Sequence, residues 1–100
     1  METAKEIDRV TVIKALAHPT RLRIAELLSK SSTCVGDLHQ QIGGDLSTVS
    51  KHLTIMRQAG WLTYEKAGLQ VHYSLVCDCL DDFLRCVDSL AKTSPDSNCC

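Results

Sequence analysis

Cys77, Asp78 and Cys79 form one run, Cys86 follows in the same stretch, Cys34 stands alone, and Cys99 and Cys100 are adjacent at the end of the sequence. Thiolates favour soft metal ions. As(III) and Sb(III) behave similarly and take three sulfurs in a pyramid, so such a site needs two or three cysteines that converge. Residues two apart in an extended segment point to the same side, so Cys77 and Cys79 are expected to chelate together. Cys79 and Cys86 are seven residues apart, a rise of roughly 10 Å within one helix. Cys86 therefore joins them only if Cys79 precedes the helix or if the site borrows a thiol from a second subunit. Cys77, Cys79 and Cys86 are the leading candidate ligands, with burial as core thiols the alternative for the pair nearest the last helix. Cys34, Cys99 and Cys100 stand behind them. Cys34 opens a helix, where a thiol pKa tends to fall but where a cysteine also serves as a plain first residue. The Cys99-Cys100 pair can fold back as a third ligand or stay idle. No C-x-x-C motif sits beside a strand–helix unit and no His–Asp pair surrounds any cysteine, which argues against an enzyme.

A second chemistry lies in Asp45-Leu46-Ser47-Thr48-Val49-Ser50-Lys51-His52-Leu53. Val49 and Leu53 are spaced to face a core, which turns Ser47, Thr48, Ser50 and Lys51 to the outer side near the helix start. A helix that reads base edges presents side chains there. Hydroxyls donate or accept, helix N-termini suit phosphate, and Lys51 and Arg57 add phosphate attraction. The net charge is −1, but the charge is unevenly placed. Residues 46–64 contain no acid, whereas residues 78–96 contain five Asp against Arg85 and Lys92. A basic middle and an acidic end fit a local DNA contact better than the total does.

The elements that must position these groups follow from periodicity. Ala4, Ile7, Val10, Ile13 and Leu16 or Ala17 predict a first helix that stops at His18, because Pro19 disfavours helical geometry in the residue before it. Pro19 opens a second helix through Leu22, Ile24, Leu27 and Leu28. A third opens near Cys34 and ends at Gly43-Gly44. Asp45 caps a fourth, with Val49, Leu53, Ile55 and Met56 as apolar positions and Gly60 as its stop. Residues 61–66 and 70–76 read as a β-hairpin about Ala67-Gly68. Leu80, Phe83, Leu84, Val87 and Leu90 predict a last helix. Two short helices joined by a Gly-containing turn make a helix-turn-helix, and a hairpin directly after it is a wing. The expected fold is mainly α with a small β-hairpin, a winged helix-turn-helix over residues 1–92, with a flexible cysteine-containing tail at 93–100.

At 100 residues, 44% hydrophobic and 23% charged, the chain is one ordinary domain near the small end of what buries its own core, and such domains often complete it by dimerising. The first residues lack the basic-then-apolar pattern of a signal peptide and no run is long enough to cross a bilayer, so a cytoplasmic location is expected. In a reducing compartment the cysteines read as metal ligands or redox thiols.

Three stretches carry a resemblance. Leu16-Ala17-His18-Pro19-Thr20-Arg21-Leu22-Arg23-Ile24 resembles the opening motif of the ArsR/SmtB family of metal-responsive repressors. Residues 47–53 with Arg57-Gln58-Ala59-Gly60 look like its recognition helix, and Gly68 with Val71-His72-Tyr73-Ser74-Leu75 looks like its wing. The likeness covers about residues 5–90. It implies a homodimer packed through the first and last helices, an operator of double-stranded DNA with two-fold symmetry, and repression until an inducer binds. It puts Ser47, Thr48, Ser50, Lys51 and His52 at or near the DNA. The family often has Arg just after the wing-tip Gly. Here that position is Leu69, which leaves Lys66, Gln70 and His72 as the polar groups of the wing. The family's arsenic site has Cys-Val-Cys at the third helix, where this chain has Cys34-Val35-Gly36. The stretch from Cys79 to Val87 resembles a cysteine pair of other arsenic-responsive members. The expectation is a repressor with no permanent cofactor, released when cysteines bind As(III) or Sb(III). The alternative is a thiol-redox, persulfide or Cd/Pb/Zn sensor of the same fold. Zinc and nickel members carry Asp and His ligands on the last helix, and here that helix has no His.

Overall fold

Helix α1 spans Arg9–Lys14, and the Asp8 carboxylate caps it by accepting the Thr11 backbone N–H at 2.8 Å. That hydrogen bond holds the Asp8 pKa below the ordinary carboxylate value. The expected run to His18 is cut short. Backbone N–H groups of Leu16 and Ala17 bond the carbonyls of Ile13 and Lys14, a tightened last turn that swings Ala15 and Leu16 into the core at 4% exposure each. His18 is extended, as a residue before proline must be, and becomes the N-cap of α2 (Pro19–Lys30), its Nδ1 accepting the Thr20 N–H. The computed structural model describes residues 8–92, so Ala4, Ile7 and the tail that holds Cys99 and Cys100 lie outside the described residues.

Ile24, Ala25 and Leu28 of α2 pack with Leu38 of α3 (Val35–Ile42), with Val49, Leu53 and Met56 of α4 (Leu46–Gln58), and with Leu62, Tyr73 and Leu80. Gly43 and Gly44 make the turn between α3 and α4 at φ of 85° and 75°, a region that costs other residues. Asp45 holds the N-cap position as expected, yet no side-chain capping bond forms there; its carbonyl accepts the N–H groups of Thr48 and Val49. Helix α4 closes with the Gly60 N–H on the Arg57 carbonyl and the Trp61 N–H on the Met56 carbonyl, each 3.0 Å, which is the Schellman pattern. Ile55, expected among the apolar positions, is 40% exposed.

Strands β2 (Leu62–Ala67) and β3 (Gln70–Leu75) form the hairpin, with Gly68 and Leu69 as its turn. The turn lies one residue later than expected. A two-residue strand β1 (Thr33–Cys34) adds to the other edge of β3, so the sheet order is β1-β3-β2. Two residues carry no alternation, so only the pairing reveals β1. Trp61 donates its indole N–H to the Val12 carbonyl at 2.8 Å and ties the hairpin to α1. Helix α5 (Leu80–Ala91) packs on α2 through Leu80 and Leu84. Val10 and Ile13 on α1 and Phe83, Val87 and Leu90 on α5 stay exposed. Among the described residues no helix is long and apolar enough to cross a membrane.

Candidate nucleic-acid interface and thiol pair

The rotation of α4 is set by its buried stripe. Val49, Leu53 and Met56 are at most 1% exposed, which turns Ser47, Thr48, Ser50 and Lys51 outward over the first turns, all four exposed. His52 behaves differently. It lies three residues after Val49, on the buried side, and its ring sits 4.6 Å from that of His18 on the α2 cap. Its Nδ1 is buried with no hydrogen-bond partner. Burial first, then His18 and Arg21, hold its pKa below the ordinary imidazole value. His52 is thus a neutral prop that seats α4 on α2, and its i,i+3 relation to Val49 was the signal for this. Arg57 is half-buried with its guanidinium 5.0 Å from the centre of the Tyr64 ring, a cation–π contact that fastens the end of α4 to β2.

The hairpin register divides the polar groups of the wing. Lys66 pairs with Val71, Gln70 with Ala67, and His72 with Glu65. Cross-strand partners share a face and neighbours alternate. Lys66 therefore shares the face of Tyr64 and Tyr73, whereas Gln70 and His72 stand on the opposite one. Lys66 and Gln70 are exposed; His72 is half-buried, with an acid across from it on β2 and Cys34 across from it on β1.

Cys77 and Cys79 come together with their sulfurs 3.2 Å apart. The route differs from the expected one. Strand β3 ends at Leu75, and Cys79 is the N-cap of α5 with φ −98° and ψ 17°. The chain turns between the two thiols, so a bend rather than a shared strand face makes them meet. The hydrogen bond to Cys77 is the main cause that pushes the Cys79 thiol pKa up, followed by the Cys77 charge. The pair thus holds a proton between two soft donors at an exposed position. Cys86 lies two turns along α5, half-buried. Among the described residues no group of three His, Cys, Asp or Glu side chains is placed to hold a metal ion. Within one chain the expected set of Cys77, Cys79 and Cys86 is therefore two thiols together and one apart, as the helical rise dictates. Cys34 is 8% exposed at the start of α3 and makes no side-chain cap bond.

Residues 18–64 match the family model described as bacterial regulatory protein, arsR family. An HTH-type transcriptional regulator of Methanocaldococcus jannaschii is 34% identical over 80 residues, 79% of this chain and 90% of that protein. The arsenical resistance operon repressor of Escherichia coli is 31% identical over 102 residues, covering 90% of this chain and 87% of the repressor. Among solved structures, the Mycobacterium tuberculosis protein Rv0081 superposes with a TM-score of 0.75 at 29% identity, over 85% of this chain and 86% of that one.

Proposed function

The chain belongs to the arsR family of bacterial regulatory proteins and is a DNA-binding transcriptional repressor; from that premise we propose that it leaves its operator when As(III) or Sb(III) binds the Cys77–Cys79 thiol pair. The observation that carries this reading is the 3.2 Å approach of two sulfurs, that of the half-buried Cys77 and that of the exposed Cys79. Two thiolates supply two of the three sulfurs that a trivalent metalloid takes. The third comes from Cys86 of a second subunit or from Cys99-Cys100. Each As–S bond replaces an As–OH bond of arsenous acid, and the thiol proton leaves with that hydroxyl as water, so the exchange releases no net proton. Likeness to an arsenical resistance operon repressor supports the choice of inducer.

The site's place in the fold supports the switch. Cys77 follows the wing and Cys79 opens α5, so a ligand there ties the wing to the last helix. The exposed apolar residues of α1 and α5 support a homodimer joined through those helices. Its two α4 helices would sit about one DNA turn apart, roughly 34 Å, on an operator with two-fold symmetry. Ser47, Thr48 and Ser50 face the major groove, while Lys51, Lys66 and Gln70 approach phosphates. A coupling of about 1–3 kcal/mol between the thiols and that spacing lowers operator affinity roughly 5- to 150-fold.

The test is a gel shift with and without arsenite on the wild type and on Cys77→Ser, Cys79→Ser and Cys86→Ser. Loss of release in the first two is expected. Undiminished release in both removes the pair from the mechanism. Release by Cd(II) or by peroxide, but not by arsenite, identifies a soft-metal or redox inducer instead.

A further inference from the structure

Leu69 is the most exposed residue of its kind in the fold. It occupies the hairpin tip beside Gly68 and is 104% exposed, with no neighbour covering its side chain. A leucine that stays in water at a loop tip contributes no burial to folding. What lies between it and α4 gives it a role. A concavity of about 380 Å³ runs from the hairpin tip to the first residue of α4, with Leu46, Leu69 and Val71 among its walls. Leu46, 49% exposed, immediately precedes the outward-facing Ser47 and Thr48.

In duplex DNA one sugar–phosphate ridge separates the major groove from the adjoining minor groove. A protein that lays the start of α4 in the major groove must let that ridge pass beside α4. The concavity reaches Leu46, the residue before Ser47, and its walls of Cys34, Val35, Leu46, Leu69 and Val71 are mainly apolar, which suits the deoxyribose edge. Seating the ridge there carries the hairpin tip across it to the minor groove. Leucine is one of the side chains that wedge between base steps from that groove.

We infer that Leu69 is an apolar wedge that enters the operator's minor groove and adds sequence preference through the ease of unstacking there. The inference rests on α4 being the reading helix. Lys66 and Gln70, exposed on opposite faces of the hairpin, flank the wedge and reach the two phosphate walls of the groove. Pyrimidine–purine steps, which unstack most easily, are then favoured at the tip.

The experiment uses the full chain and a duplex selected by the wild type from a random-sequence pool. Three proteins are compared with the wild type across a salt series: Leu69→Ala, Leu69→Arg, and a triple variant carrying Ser47→Ala, Thr48→Ala and Lys51→Ala. Leu69→Ala is expected to bind about tenfold more weakly with an unchanged salt slope, because an apolar contact is lost and no ion is displaced. Leu69→Arg is expected to steepen the slope by about 0.9 for each wing. Netropsin, which fills the minor groove, is expected to displace the wild type more readily than Leu69→Ala. Wild-type affinity in Leu69→Ala, with binding lost in the triple variant, overturns the wedge and leaves the reading helix standing. Undiminished binding by the triple variant overturns both.

Discussion

The same substitution at two glycines should move stability in opposite directions. Gly60 closes α4 at φ 98°, and Gly36 lies in α3 with no such angle; an added Cβ meets nothing within 4 Å at either. Packing therefore drops out and only the backbone decides. At Gly60 an L side chain in left-handed geometry costs about 1–2 kcal/mol. Stiffening of the unfolded chain returns about 0.4–1 kcal/mol. The difference leaves Gly60→Ala less stable by about 1 kcal/mol, a fall in Tm of about 4–8 °C for a domain of this size. Gly36 is the second residue of α3, where alanine is the better helix former. Gly36→Ala should gain about 0.5 kcal/mol and raise Tm by about 2–4 °C. Calorimetry at one fixed protein concentration measures both, since a dimer's Tm depends on concentration. A rise for Gly60→Ala, or equal shifts for both, refutes the assignment of a left-handed stop between the reading helix and the wing.

Three further outcomes follow. Lys51→Ala should lower the slope of log K against log salt by about 0.9 per subunit without changing base preference; an unchanged slope removes Lys51 from the phosphate contact. His52 has its pKa lowered in the fold, so the unfolded chain takes up a proton first as pH falls through 6.5. Stability present above that pH is then lost progressively below it, and His52→Gln should flatten this part of the curve in denaturant titrations. Cys79 keeps its proton to higher pH than an ordinary thiol, with the Cys77 hydrogen bond as the main cause. Its alkylation by iodoacetamide, mapped by mass spectrometry, should set in at lower pH in Cys77→Ala; an identical profile would show that the two sulfurs do not share a proton.

Periodicity was enough to place α2, α4 and α5, because Ile24 with Leu28, and Val49 with Leu53, recur at the spacing of a helix with one buried face. The Gly43-Gly44 turn, the Gly60 stop and the hairpin came from local backbone chemistry, which neighbouring residues alone determine. Outward placement of Ser47, Thr48, Ser50 and Lys51 followed from the same spacing. Other features needed distant partners. Strand β1 exists only because Thr33 and Cys34 meet Tyr73 and His72. Lys66 is separated from Gln70 and His72 by the hairpin register. His52 turns inward because His18, remote in sequence, offers it a surface. The Cys77–Cys79 approach depends on a bend where β3 gives way to α5, not on the strand alternation that suggested the pair. Short-range periodicity is written in the chain because each turn of helix is built from adjacent residues. Strand register and ring contacts join residues tens of positions apart, and only the packed core brings those together.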